Sequence, residues 1–262
     1  MIYNDSFKIR TIEASSRNTA RPSVIVDILN ETAGGHLDAL GINDVEMHEV
    51  DKKAFIISRM TMEIYDKIPA GSPVDVNTWY SIGKAANFPR NYQMVLDDKI
   101  VARGFSNWAL IDTDNKKLIR YKDYDDLSDE LAEEKISIGI PDRFRIPAEA
   151  EFTQAAAVTV ALWQTDINNH MNNVRYIDPM WSALPDIAER DVKAVSIHYM
   201  HEAVVGDTLK VMVSQPFPFD LDTACDEGTI SNHYSAETDQ IVYVRMETDD
   251  EIKVQAMWIL TK

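Results

Sequence analysis

The sequence predicts an α+β fold made twice over, each half an antiparallel sheet wrapped around one long helix. Three observations carry that expectation. Each half opens with an amphipathic helical pattern and continues as several alternating strands. The turn Ala70-Gly71-Ser72-Pro73-Val74-Asp75-Val76 parallels Val205-Gly206-Asp207-Thr208-Leu209-Lys210-Val211, each leading into a strand. The hairpin-type turn Asp97-Asp98-Lys99-Ile100 parallels Asp249-Asp250-Glu251-Ile252, and each is followed by a strand that carries a tryptophan, Trp108 or Trp258.

The first helix is expected near Ser23–Leu40, where Ile25, Ile28, Leu29, Thr32, His36 and Leu40 keep three- and four-residue spacing. Ser23 suits the N-cap and Gly41 the C-terminal stop. The second is expected near Asn173–Leu184, with Ile177, Met180, Trp181 and Leu184 on one face and Pro179 forcing a kink or a late start. Residues 1–126 and 149–262 then form two domains. The charged stretch 127–148, holding Pro141 and Pro147, reads as a linker with a short helix at Asp129–Lys135.

Composition narrows the class of function. Apolar residues are 45% of 262, enough for a sizeable core, and no apolar run approaches membrane-spanning length. The single cysteine, Cys225, excludes an intrachain disulfide, and the start shows no basic-then-apolar signal pattern. A cytoplasmic protein without membrane insertion is expected. A net charge of −17 argues against nucleic acid as a partner. The charge is uneven: residues 1–125 hold 16 Lys/Arg against 18 Asp/Glu, residues 126–262 hold 10 against 25. An acidic partner is therefore expected on the first half.

The densest chemistry lies in Trp163-Gln164-Thr165-Asp166-Ile167-Asn168-Asn169-His170-Met171-Asn172-Asn173-Val174-Arg175-Tyr176. Asp166, Asn168 and His170 alternate, and in extended backbone alternate side chains share a face. An acid, an amide and an imidazole would then meet one cleft. The plainer reading is an Asx-rich turn with a helix cap, roles that Asn and Asp also favour.

Asp166 through Tyr176 resembles the active-site stretch of the acyl-[acyl carrier protein] thioesterases, the plant type and their bacterial relatives. That family reads D-x-N-x-H-x-N-N-x-K/R-Y there. A second marker, a glutamate in a Tyr-Arg-Arg-Glu-Cys-Gly-like segment, appears as Tyr199-Met200-His201-Glu202-Ala203, with Ala203 in place of the cysteine. The likeness extends to Ile57-Ser58-Arg59-Met60, Val74–Trp79 and Ala102–Trp108, nearly the whole chain. It implies a tandem (double) hotdog fold, hydrolysis of fatty acyl-carrier thioesters without metal or cofactor, and Asp166, Asn168, His170 and Glu202 as catalytic residues.

Thioester hydrolysis needs an activated water or a carboxylate nucleophile, and polarisation of the carbonyl. Two carboxylates in a partly dry site divide that labour, one staying ionised. Glu202 is expected to activate water or orient His170, with Asp166 as the other ionised partner; the two roles can exchange. An imidazole at His170 suits either holding the water or protonating the leaving thiolate. The Asn168 amide would donate to the thioester oxygen.

The first half lacks this set. The position equivalent to Glu202 is Lys67, and Thr19–Ser23 carries no such triplet. It is expected to hold the acyl chain, with Ala33, Gly34 and Gly35 on the helix against either the sheet or the ligand. Lys84 and Arg90 around one turn, and the cluster Lys116, Lys117, Arg120 and Lys122, are candidate contacts for the acyl carrier protein. A homodimer is compatible with the sequence. His198 and His201 lack a third ligand at zinc-like spacing, and Cys225 lacks a basic neighbour to activate it. An acyl-CoA thioesterase on the same fold, or an inert acyl-binding protein, is the alternative.

Overall fold

The computed structural model describes residues 1–124, 127, 135–219 and 233–261. Cys225 and nearly all of the expected 129–135 helix lie outside the described residues.

The first half contributes β1 (Tyr3–Lys8), β2 (Lys53–Ile64), β3 (Pro73–Tyr80), β4 (Phe88–Leu96), β5 (Lys99–Asp112) and β6 (Lys117–Ile119). The second contributes β7 (Phe152–Thr159), β8 (Val192–Tyr199), β9 (Thr208–Ser214), β10 (Phe217–Pro218), β11 (Asp239–Glu247) and β12 (Ile252–Thr261). All join one sheet in the order β1-β3-β4-β5-β2-β8-β12-β11-β9-β7, with β6 on β5 and β10 on β11. Read outward from the β2–β8 seam, the two halves have the same strand order. The seam is antiparallel from Arg59↔His198 to Glu63↔Ala194. Its central pair, Thr61 and Ser196, is buried, with the two hydroxyls 3.3 Å apart. Such a partnered polar pair satisfies itself where water is excluded.

The helix α1 (Pro22–Ala39) starts one residue earlier than expected. Pro22 takes the first helical position, where its missing N–H costs nothing. Ser23 is then inside the helix and its hydroxyl donates to Asp178 Oδ1 at 2.5 Å. Val24, Ile25, Ile28, Leu29 and Ala33 are buried against the sheet, each large apolar side chain contributing roughly 1.5–3 kcal/mol. Gly104 in β5 makes the approach possible, since a Cβ there would stand 2.7 Å from Leu29 Cδ1. Gly41 ends the helix at φ 78°, as its placement suggested. The short α2 (Asp44–Glu49) follows, capped by Asn43, whose Oδ1 accepts from the Val45 and Glu46 amides at 3.1 Å.

The second long helix does not form. Asn173–Tyr176 is a 3-10 turn, and α3 runs only Ile177–Ser182. Pro179 delays the α-helix, and Pro185 disfavours helical backbone at Leu184 before it. The two hairpin turns also differ. Asp97 and Asp98 have φ 48° and 61°, a tight two-residue connection from β4 to β5. The β11–β12 connection is wider: Glu247 pairs with Ile252, and Thr248 N donates to Glu251 O at 3.0 Å.

The described part of the linker is a buried strap. Ile136, Ile138 and Ile140 alternate into a cluster with Phe105, Tyr243 and Ile259 on the face of the sheet away from α1. Ile136 N donates to Asn91 Oδ1 at 2.9 Å, and Gly139 N to the buried Glu63 Oε1 at 2.8 Å. The strap thus ties across the seam.

Candidate active site

Residues 165–171 do not run extended. Thr165 and Met171 form an isolated bridge, Asp166 N donates to His170 O at 2.9 Å and Asn169 N to Asp166 O at 3.0 Å. Asn169 takes φ 61°, a conformation Asn tolerates better than most residues. Inside the turn, Asp166 Oδ1 accepts from Asn168 N at 2.9 Å and His170 N at 3.4 Å. The plainer sequence reading therefore describes the backbone, and alternation does not. Asp166 organises the turn. Among the described residues its side-chain bonds all go to loop amides.

The turn is held against the segment after β8. Met171 N donates to Ala203 O at 2.8 Å, and His170 bridges Val204. That register brings Glu202 Oε2 to 3.1 Å from His170 Nε2, with the side chains 54% and 33% exposed. A carboxylate can only accept, so Nε2 carries the proton and a neutral ring keeps its lone pair on Nδ1. Asn168 is half-buried, and its side-chain amide makes no hydrogen bond among the described residues. Ala203 is fully buried.

These four residues line one cleft of about 970 Å³, at the upper end of small-molecule pockets. Tyr176 and Tyr199 of the second half line it as well, and the first half adds Asn30, Ala33, Gly34, Gly35, Leu37 and Asp38 of α1, Ala54–Ile57 of β2, and Phe88 and Trp108 of the sheet. Gly34 faces open space, a Cβ there meeting nothing within 4 Å. Gly35 is a packing glycine, since its Cβ would lie 2.8 Å from Tyr3 Oη.

Arg90 is corrected as a docking contact. It is 1% exposed, Nη1 donates to His36 Nδ1 at 3.0 Å and Thr78 Oγ1 at 3.2 Å, and the guanidinium lies 3.9 Å over the Tyr80 ring. It supports the deep end of the cleft. Lys84 is exposed in the turn bridged by Lys84 and Asn87. Lys116 stands at the cleft mouth, Lys117 and Lys122 are exposed, and Arg120 pairs with Asp123 at 3.1 Å. His198 Nε2 donates to the Asp142 carbonyl at 3.0 Å and its ring stacks on Phe144, while His201 Nδ1 meets Glu251 at 3.4 Å.

One relation escaped the sequence reading. Residues 14–20 repeat the backbone of 165–171 bond for bond. Ser15 N donates to Thr19 O at 2.8 Å, Asn18 N to Ser15 O at 3.0 Å, Arg17 N to Ser15 Oγ at 3.2 Å, and Ala20 N to Ile68 O at 2.8 Å. Asn18 matches Asn169 at φ 56°. The signal was the Asn18/Asn169 pair and the Glu13/Gln164 side chains, each capping the amide three residues earlier. In this twin, Arg17 and Lys67 stand where Asn168 and Glu202 do. Both face Asp191, at 2.6 and 4.0 Å, and Arg17 also donates to the Arg190 carbonyl. The twin is a closed clasp.

Solved structures share this fold over the whole chain. An acyl-ACP thioesterase from Bacteroides thetaiotaomicron aligns with TM-score 0.77 at 21% identity, covering 99% of this chain and 97% of that one. The 12:0-ACP thioesterase from Umbellularia californica aligns with TM-score 0.78 at 15% identity, covering 100% and 94%. The fold is thus of the hotdog class. The chain belongs to the acyl-ACP thioesterase family: the family's N-terminal domain model matches residues 1–130 and its C-terminal domain model residues 148–258. Curated relatives include oleoyl-acyl carrier protein thioesterase 2 of Arabidopsis thaliana, 23% identical over 82% of this chain, and the palmitoyl-acyl carrier protein thioesterase of Cuphea hookeriana, 23% over 77%. The chain spans 64% and 52% of those relatives' lengths.

Proposed function

We propose that this chain hydrolyses the thioester between a fatty acyl group and acyl carrier protein, releasing free fatty acid. The observation that carries the reading is the His170–Glu202 pair, with an Asn168 side-chain amide that has no partner among the described residues, in one cleft that Ala33, Gly34 and Leu37 of α1 and Ala54–Ile57 of β2 also line. The chain reads as two hotdog units in tandem, roughly 1–126 and 149–262, the first holding the acyl chain and the second the reacting groups.

In this mechanism Glu202 accepts the His170 Nε2 proton in a hydrogen bond and so fixes the ring's tautomer. His170 Nδ1 takes a proton from water as the oxygen attacks the thioester carbon. The Asn168 amide donates to the carbonyl oxygen as it becomes negative. Collapse breaks the carbon–sulfur bond, and the imidazolium returns its proton to the departing thiolate. Asp166 holds the turn that aims Asn168 and His170. No cofactor enters. We place the enzyme in the cytoplasm, acting on an acidic carrier that the exposed Lys116, Lys117 and Lys122 would receive.

Purified protein is to be incubated with acyl-carrier and acyl-CoA thioesters of one chain length while free thiol is measured. Faster release from the carrier substrate supports the proposal. Preference for CoA would reassign the donor, and release from neither would make the protein an acyl binder.

A further inference from the structure

We propose that a second cavity, at the stems of the turn 165–171, binds a free long-chain carboxylate, and that occupancy there slows hydrolysis. The ligand class is read from the cavity itself; its being the reaction's own product rests on the function proposed above.

The cavity holds about 720 Å³, within the usual range for small-molecule sites. Corresponding residues of the twin loops and of the segments after them line it in pairs: Ile12 with Trp163, Glu13 with Gln164, Val24 with Arg175. Where the first half supplies an acid and a valine, the second supplies an amide and an arginine. The cavity's three arginines are not equivalent. Arg10 is held by Glu13, and Arg21 lies 3.4 Å from Asp178, whose Oδ1 also accepts from Ser23. Arg175 is exposed, has no ion pair among the described residues, and places its guanidinium 5.5 Å from the centre of the Trp163 ring. Asp27, the remaining acid of the wall, is pushed above the usual aspartate range by desolvation, against the pull of Arg175.

The rest of the wall is largely aliphatic. β7 pairs Gln154 with Met212 and Ala156 with Val211, so Ala155 is a bulge. A bulge re-aims side chains, and the consecutive Ala155 and Ala156 both line the cavity, with Val158, Pro179 and Ala183. A chain of methylenes on this surface leaves a carboxylate for Arg175, a charge-assisted pairing. A thioester has no such head, and a short anion has no chain.

The cavity reaches the chemistry through the backbone. Trp163–Gln164 and Val174–Arg175 flank the turn on its two sides, and Asn172 N donates to Gln164 O at 2.8 Å between them. Asp27 and Val174 line the catalytic cleft as well. A ligand that draws Arg175 therefore pulls on the stem of the turn that carries Asn168 and His170.

Equilibrium dialysis with dodecanoate, below the concentration at which it forms micelles, counts sites on the intact protein. Wild type should hold two per chain, one in the cleft and one here, and dodecanol, without the charge, should hold one. Arg175→Gln should weaken the second site at least about tenfold, the scale of a lost hydrogen bond to a charged group. Ile12→Glu sets an anion in the same wall on a side chain 79% exposed, and should act in the same direction without touching the stems. With acyl-pantetheine as substrate, dodecanoate should lower kcat in wild type, whereas in Ile12→Glu it should raise only KM. One dodecanoate per chain in wild type, dodecanol at both sites, or a second site unchanged in both variants overturns the proposal. An unaltered wild-type kcat at full occupancy removes the effect on hydrolysis. If no thioester is hydrolysed, the proposed function fails and the dialysis count still decides the site.

Discussion

Glu202→Gln separates the proposed roles of the two carboxylates when compared with changes at Asp166. Glutamine keeps the size of the side chain but can turn its amide N–H toward His170 Nε2, 3.1 Å away. The ring proton would then move to Nδ1 and the base would be lost. The pair is a third exposed at His170 and more than half exposed at Glu202, so its contribution to stability is at most about 1 kcal/mol and the melting temperature should hold. The same exposure places the catalytic loss in the lower part of the general acid–base range, about 100- to 1,000-fold in kcat, or about 2.7–4 kcal/mol. Asp166→Asn should behave differently. An asparagine Oδ1 can still accept from the Asn168 and His170 amides, so the turn survives and kcat should fall by less than about tenfold. Asp166→Ala removes both bonds, with a cost like that of a lost cap, about 1 kcal/mol, and should lower kcat further by releasing Asn168 and His170. Single-turnover thiol release with melting curves on all three variants measures this. Near wild-type turnover in Glu202→Gln, or a loss in Asp166→Asn as deep as in Asp166→Ala, would refute the assignment.

Gly34→Leu should shorten the preferred acyl chain, read from the released fatty acids, because its side chain enters open cleft. Gly35→Leu should instead lower the melting temperature through its clash with Tyr3; an unchanged product profile in the first would remove Gly34 from the pocket wall. Reversing Lys116, Lys117 and Arg120 to Glu should raise KM for the carrier-bound substrate, most at low salt, and leave a short acyl-pantetheine unaffected. Equal responses would mean that the cluster acts on the fold. Burial holds His198 and His233 below the usual histidine range, each partly offset by a hydrogen bond to a carbonyl. The unfolded chain therefore binds protons first as pH falls, so stability should drop below about pH 6.5. His198→Gln should flatten that part of the melting-temperature profile, and an unaltered slope would count against it.

Much of the fold was legible because it rests on local signals. Alternation marked the strands, Gly41 and Gly71 marked turns, and the repeat of Val74–Val76 in Leu209–Val211 marked the duplication. What failed depended on tertiary context. Arg90 looked like a loop cation through its nearness to Lys84, yet β4 carries it under α1, where its Nη1 donates to His36 and Thr78. The strap at Ile136, Ile138 and Ile140 was hidden because a charged run precedes it and spreads its polarity over the whole linker. Pro179 was read correctly as an obstacle, but Pro185 was not weighed with it, and the second helix shrank between them. Of the two readings of the D-x-N-x-H stretch, the Asx-rich turn describes its backbone and the extended one does not, because Asp166 accepts from the amides of its own loop.

The clasp at Arg17, Lys67 and Asp191 has a consequence for counting. A duplicated fold with two working loops could load two acyl groups and let one influence the other. Here the second loop is spent on joining the halves, with Arg17 and the neighbouring Lys67 both facing Asp191. Titration with a slowly hydrolysed thioester should therefore saturate at one acyl group per chain, along a simple hyperbola. Of the two like loops one carries the reacting groups and the other is a buttress, and mutations at Arg17 should be felt as looseness between the halves before they are felt as chemistry.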